Sequence, residues 1–517
     1  MYRNIITIVF SIVLSNFACT DRVLSQSNTV DRNHIRVEEI EIKGNTVFAD
    51  SQFEKIVSPL EGQKMPLERL SRLAAQLTNY YVDRGYISSV AFVPSQEFTD
   101  GIIEIKIVEG SLVAIEIQGL SQLKRGYITS RLPSLEKPLK ISDITDSLVE
   151  LNNNPLIKEI ESKLEQASLG ENILILEIRE TPPLTSQFSL TNNYSPSIGS
   201  FGGTANVNYH LMGFGDIVSF DFTKTDGLTR YNTGYSIPFN SRDGVVGVSY
   251  TNADSEIVED PISALDIQAD YETFVLNIRQ PIDLGKSAEL AIGAELELIK
   301  SETFVNNDFS FAFVDGLEDG QSRITALRLI QEYFNQSERS SIALRSRFNL
   351  GLNLFDATKT ELGQDALYWS WQGQTQWLRK LGNLSLISTL NLQLTPDRLL
   401  PVEQFSLGGT GSVRGYRSNL SIGDNGVTAN VELQIPIVQT NRTQINLIPF
   451  VDGGTVWNDS SESIESSTLF STGIGVSYEL SDIVEARIDY AIPLIEADAP
   501  PDFSTEQEFS FLFLLRP

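Results

Sequence analysis

The chain has 517 residues, 67 of them acidic against 39 basic, a formal charge of −28 and a single cysteine. That balance excludes a nucleic-acid binder, whose phosphate contacts need a basic face, and one cysteine excludes an internal disulfide. Beyond the N-terminus no run of about 20 apolar residues occurs, which excludes a helical span but not a membrane barrel, whose strands alternate and keep mean hydropathy ordinary.

Residues 1–25 have the form of an export signal. Arg3 supplies the charge, Ile5 to Leu14 a short apolar core, and Ser15, Asn16 and Ala18 the small or polar residues that follow. Cleavage fits after Ala18 or nearer Ser25. Cys19 raises lipoprotein processing, for which Asn16-Phe17-Ala18 is a poor lead-in; otherwise it leaves with the peptide or sits beside the cut.

Residues 35–110 read as strand, helix, helix, strand, strand. Ile35, Val37, Ile40 and Ile42 make the first strand, and Gly44-Asn45 turns the chain. Leu67, Leu70, Leu73, Ala74, Leu77 and Tyr81 form one helical stripe, stopped by Gly85. Val90 to Pro94 and Ile102 to Val108 are strands. The pattern recurs loosely over residues 111–180, with strands at Val113 to Ile117, Ile157 to Leu164 and Ile173 to Ile178 and a helix at Ile141 to Leu151. Two small α/β modules are expected. Short sheets leave open edges, which accept an extended peptide as an added strand. Val90 and Phe92, or Ile157 and Leu164 on the counterpart strand, are the candidate binding positions. The alternative is that the modules are spacers.

After Thr181-Pro182-Pro183 the helical period vanishes. Residues 184–517 alternate apolar and polar side chains, as in Val427, Ala429, Val431, Leu433 and Ile435 against Thr428, Asn430, Glu432 and Gln434. About 16 such segments occur, and period-two alternation over about ten residues suits a membrane strand. Short turns, such as Asn240 to Asp243 and Leu381 to Asn383, separate longer polar loops, of which Thr395 to Asn425 is the longest. The fold class expected is mainly β: a transmembrane 16-stranded antiparallel barrel preceded by two small α/β domains. A pair of soluble β-sandwiches is the competing architecture. An even strand count puts both barrel ends, and the modules, on the short-turn side.

The longest loop carries Gly408-Gly409-Thr410-Gly411-Ser412-Val413-Arg414-Gly415-Tyr416-Arg417. Its glycines let a hairpin fold back sharply, with Arg414 and Tyr416 at the tip. Asp452, in Phe450-Val451-Asp452-Gly453-Gly454, shares parity with Gln444 and Asn446 and should face the lumen. A loop folded into the barrel brings Arg414 to it; an exposed hairpin is the alternative.

Leu77 to Tyr86 and Asp100 to Gly110 resemble the first POTRA domain of two-partner secretion transporters, the hemolysin-activator and filamentous-haemagglutinin-exporter type. Ser412-Val413-Arg414-Gly415-Tyr416 and Phe450-Val451-Asp452-Gly453-Gly454 resemble the paired signatures of the wider superfamily. The resemblance implies an outer-membrane pore with two periplasmic POTRA domains that capture an unfolded client. The pore exports that large β-rich partner, whose folding outside supplies the drive. The alternative within the superfamily is a barrel-assembly or insertion factor. Gly411, Val413, Arg414, Gly415, Tyr416, Phe450, Asp452 and Gly453 are then the inward loop and its lumen lock. No enzyme activity, metal or cofactor is expected: there is no phosphate-binding loop, and the two histidines are His34, ahead of the modules, and His210, a polar lumen residue by parity. A monomer in outer-membrane lipid is expected. Two departures stand out: little room for a plug helix between the signal and Ile35, and a chain ending Leu515-Arg516-Pro517 instead of on an aromatic.

Overall fold

A computed structural model describes residues 34–517 except 99, 136–137, 212, 285–286, 307–308, 312–316, 318–319, 361–363, 460–463 and 498–503. The export signal, Cys19 and the stretch considered for a plug helix lie outside the described residues. The chain divides into two compact units, one up to Thr181 and one from Pro182.

In the first unit, the leading module carries helices Asp50–Val57 and Leu67–Val82 over a three-stranded sheet. Ile102–Val108 is the central strand, parallel to Glu39–Lys43 and antiparallel to Val90–Phe92. Leu70, Leu73, Ala74, Leu77 and Tyr81 pack on Ile103, Ile105 and Ile107. Leu67, expected on that stripe, is exposed instead. A helical side chain covers the turn before its own Cα, and Leu67 begins the helix, so it leans past the sheet. Gly85 adopts a left-handed φ of 92°. Its N–H reaches Val82 O while that of Tyr86 reaches Tyr81 O, the Schellman closure.

The second module repeats the plan with Glu171–Glu180 central, parallel to Ser111–Gln118 and antiparallel to the twelve-residue edge strand Ile157–Ser168. Helix Ile141–Asn153 covers it, and a short helix Arg125–Thr129 was not signalled by the sequence. One device recurs in both modules. Gly44 and Gly119 each turn the chain after the first strand with φ of 87° and 84°. A carboxylate from the end of the central strand then closes the turn. Glu109 accepts the N–H groups of Thr46 (2.7 Å) and Val47 (3.0 Å). Glu180 accepts those of Ser121 (3.1 Å), Gln122 (2.8 Å) and Leu123 (2.9 Å). Burial alone would raise both carboxyls. The hydrogen bonds outweigh it and hold both below the ordinary glutamate value.

The second unit is a closed antiparallel barrel of sixteen wall strands, from Leu184–Thr191 to Phe509–Leu515. Among the described residues Phe309–Ser310 adds a two-residue extension paired with Ala288–Val305. First and last strands meet through Phe188–Thr191 and Leu512–Leu515. Apolar side chains such as Val431, Val451, Ile474 and Ile488 are exposed on the outer face, while Thr428, Asn446, Asp452 and Ser471 are buried inside. That is the arrangement a lipid-facing wall requires. Register slips at Pro281 and Pro436, where proline offers the ladder no donor. Several strands are longer than a membrane crossing needs: Ile267–Leu284 and Ala288–Val305 run 18 residues each against about ten. The polar stretch Ser301 to Val305 is strand that continues past the apolar band. Among the described residues no helix is long and apolar enough to cross a membrane.

Candidate functional site

Between wall strands Leu384–Leu394 and Asn425–Gln439 the chain makes a hairpin, its limbs Phe405–Leu407 and Ser421–Gly423 paired antiparallel. Glycine is required at particular places in it. Gly408, Gly409 and Gly415 have φ of 108°, 85° and 91°, and a Cβ on Gly408 would stand 2.4 Å from the carbonyl oxygen of Arg417. Gly411 is not so constrained, since a Cβ there meets nothing within 4 Å.

The tip is buried against the inner wall. Val413 and Tyr416 pack with Leu407, Val456 and Leu469. The Tyr416 hydroxyl lies 2.9 Å from Phe470 O and 2.7 Å from Ile495 O, and accepts the N–H of Ile495 at 3.2 Å. Gly415–Tyr416 also pairs with Glu506–Gln507 of the last loop.

Arg414 is 5 % exposed and Asp452 fully buried. Nε donates to Asp452 Oδ2 at 2.6 Å and Nη2 to Oδ1 at 2.8 Å; the backbone N–H of Arg414 adds a third bond at 3.2 Å. The guanidinium carbon stands 3.4 Å from the centroid of Phe450, a cation–π contact with the ring that shares Asp452's face. Nη1 donates to Glu432 Oε1 at 2.5 Å. That oxygen also takes Arg487 Nη2 at 2.7 Å, and Arg487 Nε donates to Asp489 Oδ2 at 2.9 Å. Two guanidinium groups and three carboxylates thus form one network, and the desolvated charges satisfy one another.

Sequence reading paired Arg414 with Asp452 but missed Glu432, Arg487 and Asp489. The signal was present: Glu432 alternates with outward Val431, and Arg487 and Asp489 flank outward Ile488. Gly453 lies under Phe470 on the outer face; Gly454 makes room for the hairpin, since a Cβ there would stand 2.6 Å from Leu407 Cδ1. His210 ends the strand Gly202–His210, with Nδ1 3.3 Å from the backbone oxygen of Asp216.

The two candidate sheet edges differ. Val90–Phe92 is an edge strand, but the outward N–H there belongs to Ala91 and is donated to Thr78 Oγ1 of the covering helix at 2.9 Å. An added strand would have to displace that hydroxyl, and proline at Phe92 would not remove the outward donor. Among the described residues Ile157–Ser168 is paired on one side only, by Glu171–Glu180. Ile157 and Leu164 point into the module core, so only backbone at this edge is available for pairing.

Residues 170–478 match the family of the haemolysin secretion/activation proteins ShlB, FhaC and HecB, and residues 35–110 match the ShlB-type POTRA domain. The outer membrane transporter CdiB of Escherichia coli is 25 % identical over 500 residues, covering 91 % of this chain and 81 % of that protein. The heme/hemopexin transporter protein HuxB of Haemophilus influenzae is 21 % identical over 512 residues, covering 91 % of this chain and 83 % of that protein. Among solved structures, CdiB from Escherichia coli superposes with a TM-score of 0.70 at 20 % identity, covering 96 % of this chain and 93 % of that one. Barrel, POTRA modules and family match agree: this chain belongs to the haemolysin secretion/activation family ShlB/FhaC/HecB, transporters of the outer membrane with a β-barrel behind POTRA domains.

Proposed function

We infer that the barrel exports a separately made, unfolded partner protein from periplasm to cell surface, with the hairpin of residues 405–423 as its gate. The observation that carries this reading is the burial of Arg414 on Asp452 inside the barrel. A loop without a gating role would not need a buried charge network to hold it in the lumen. The network is costly to desolvate yet can be exchanged for water when the hairpin moves, which suits a gate better than an apolar plug. Capture of the client begins on the POTRA modules. Of the two edges, Ile157–Ser168 fits better, because twelve residues of backbone are paired on one side only. No catalytic step belongs to this reading, and one chain suffices, since it encloses the pore by itself.

The test is secretion of the partner from cells carrying wild type, Arg414→Ala or no transporter. Loss of secretion with intact assembly of other outer-membrane barrels is expected. Full secretion without the transporter, together with failed barrel assembly, would assign the chain to barrel insertion instead.

A further inference from the structure

The hairpin has a second buried arginine contact, at its base and on a different sector of the wall. Glu403 lies in the short turn Pro401–Glu403, where the first limb leaves the wall. Its carboxylate accepts Arg328 Nη2 at 2.7 Å and Nη1 at 3.1 Å. Both side chains are almost fully buried, 5 % and 4 % exposed. Arg328 belongs to wall strand Gln321–Gln336, five strand steps from the strand of Asp452. Here the polarity is reversed: the wall supplies the guanidinium and the loop the carboxylate.

The receiving site is built by the wall. Arg328 Nε donates to Glu297 Oε2 at 2.6 Å on one neighbouring strand, and Nη1 to Asn349 Oδ1 at 3.0 Å on the other. Asn349 in turn donates to Ser370 Oγ at 3.0 Å, one strand further. Side chains of four adjacent strands therefore fix the guanidinium where Glu403 arrives. Other bonds stitch the same base. Gln393 Nε2 donates to Glu403 O at 2.9 Å and Asp424 O at 3.0 Å, joining the outgoing and returning limbs. Asp424 Oδ1 accepts the N–H of Leu399 at 3.0 Å, and Leu399 and Leu400 are buried against Ile299, Ile324 and Tyr368.

Tip and base are held by separate sets of contacts. The tip bends at three left-handed glycines and is fastened by the apolar seat of Val413 and Tyr416, by Arg414 and by Arg417, whose Nη2 donates to Glu259 Oε2 at 2.6 Å. The base combines apolar burial, bonds between limbs and one charged clamp. We propose that Arg328 and Glu403 are a base clamp, positioning residues that keep the first limb on its wall sector after the tip has let go. The hairpin then swings about a fixed base at Gly408-Gly409. The passage opens unevenly, along the wall of Asp452 and Asp489 where the tip had rested.

This inference rests on the gate reading, and one experiment separates the two. Unit conductance is recorded in planar bilayers for wild type, Arg414→Ala, Glu403→Ala and the double variant, with heat-modifiable gel mobility checking that each barrel is folded. Arg414→Ala should raise conductance to an intermediate level. Glu403→Ala alone should stay at the wild-type level, because the tip still holds. The double variant should exceed Arg414→Ala, and Glu403→Gln in the Arg414→Ala background should fall between them. No rise with Arg414→Ala would overturn the gate reading. A rise with Arg414→Ala that Glu403→Ala does not increase further would leave the gate and overturn the clamp, as would full opening by Glu403→Ala alone. Should Glu403→Ala fail to insert, Arg328→Met takes its place with the same expected levels.

Discussion

Arg414 grips Asp452 with both prongs of its guanidinium and with its own backbone N–H. One carboxylate therefore fixes the side chain and the chain direction of the hairpin tip together. A lysine offers a single ammonium and no fork. Arg414→Lys should reduce partner secretion nearly as far as Arg414→Ala, although charge is kept. Breaking a buried pair by removing one partner costs about 3–5 kcal/mol, an upper bound in a lumen that water can enter. The double variant Arg414→Ala/Asp452→Ala should be less than additive, because each single change strands the other charge. Wild-type secretion by Arg414→Lys would sink the fork argument, and strictly additive losses would sink the coupling.

The hairpin glycines should separate by geometry. Gly415→Ala forces a side chain into φ of 91°, at a cost of roughly 1–2 kcal/mol. Gly454→Val drives a branched side chain into Leu407, whose Cδ1 stands only 2.6 Å from the Cβ position, so the hairpin must lift from the wall. Gly411→Ala meets nothing and should be silent. Conductance and partner secretion for the three variants test this. A defect at Gly411→Ala equal to that at Gly454→Val would mean that packing is not what the glycines provide.

Glu109 and Glu180 give the POTRA modules an acid limit. Both carboxyls are held below the ordinary value in the folded state. Their contribution is therefore complete above the unfolded glutamate value and is lost as pH falls through the lower folded value. The unit spanning residues 35–181 should lose stability below about pH 4.5, near the ordinary glutamate value, and Glu109→Gln should flatten part of that slope. Urea unfolding followed by near-ultraviolet circular dichroism between pH 3 and 7, values chosen to bracket the ordinary carboxylate range, reads it. A slope unchanged in both Glu109→Gln and Glu180→Gln would show that other carboxylates set the limit.

Client contact should map to one edge. A photo-cross-linking residue at Glu161, on the strand Ile157–Ser168, should trap an N-terminal client fragment. The same residue at Phe92 should trap little, because the neighbouring Ala91 donor is already engaged by Thr78. Stronger capture at Phe92 would move the docking edge to the first module and require the Thr78 hydroxyl to yield.

The strand walls were legible because period two is written residue by residue. The alternating run Val427 to Ile435 lies inside the observed wall strand Asn425–Gln439. The same parity that put Asp452 inside also contained Glu432, Arg487 and Asp489. What parity does not give is which inward charges meet, since that depends on how the strands curve around the lumen.

From the sequence alone came the modular front, the alternating barrel and the pairing of Arg414 with Asp452, because each rests on local periodicity or on a short glycine-bearing motif. Tertiary structure decided what depends on distant segments. It set Arg328 opposite Glu403, 75 residues apart in sequence. It closed the Val90–Phe92 edge with a hydroxyl from a helix, and it brought Leu407 of the hairpin against Gly454. Sheet closure and loop insertion bring such groups together, and no local pattern records a contact made across a lumen.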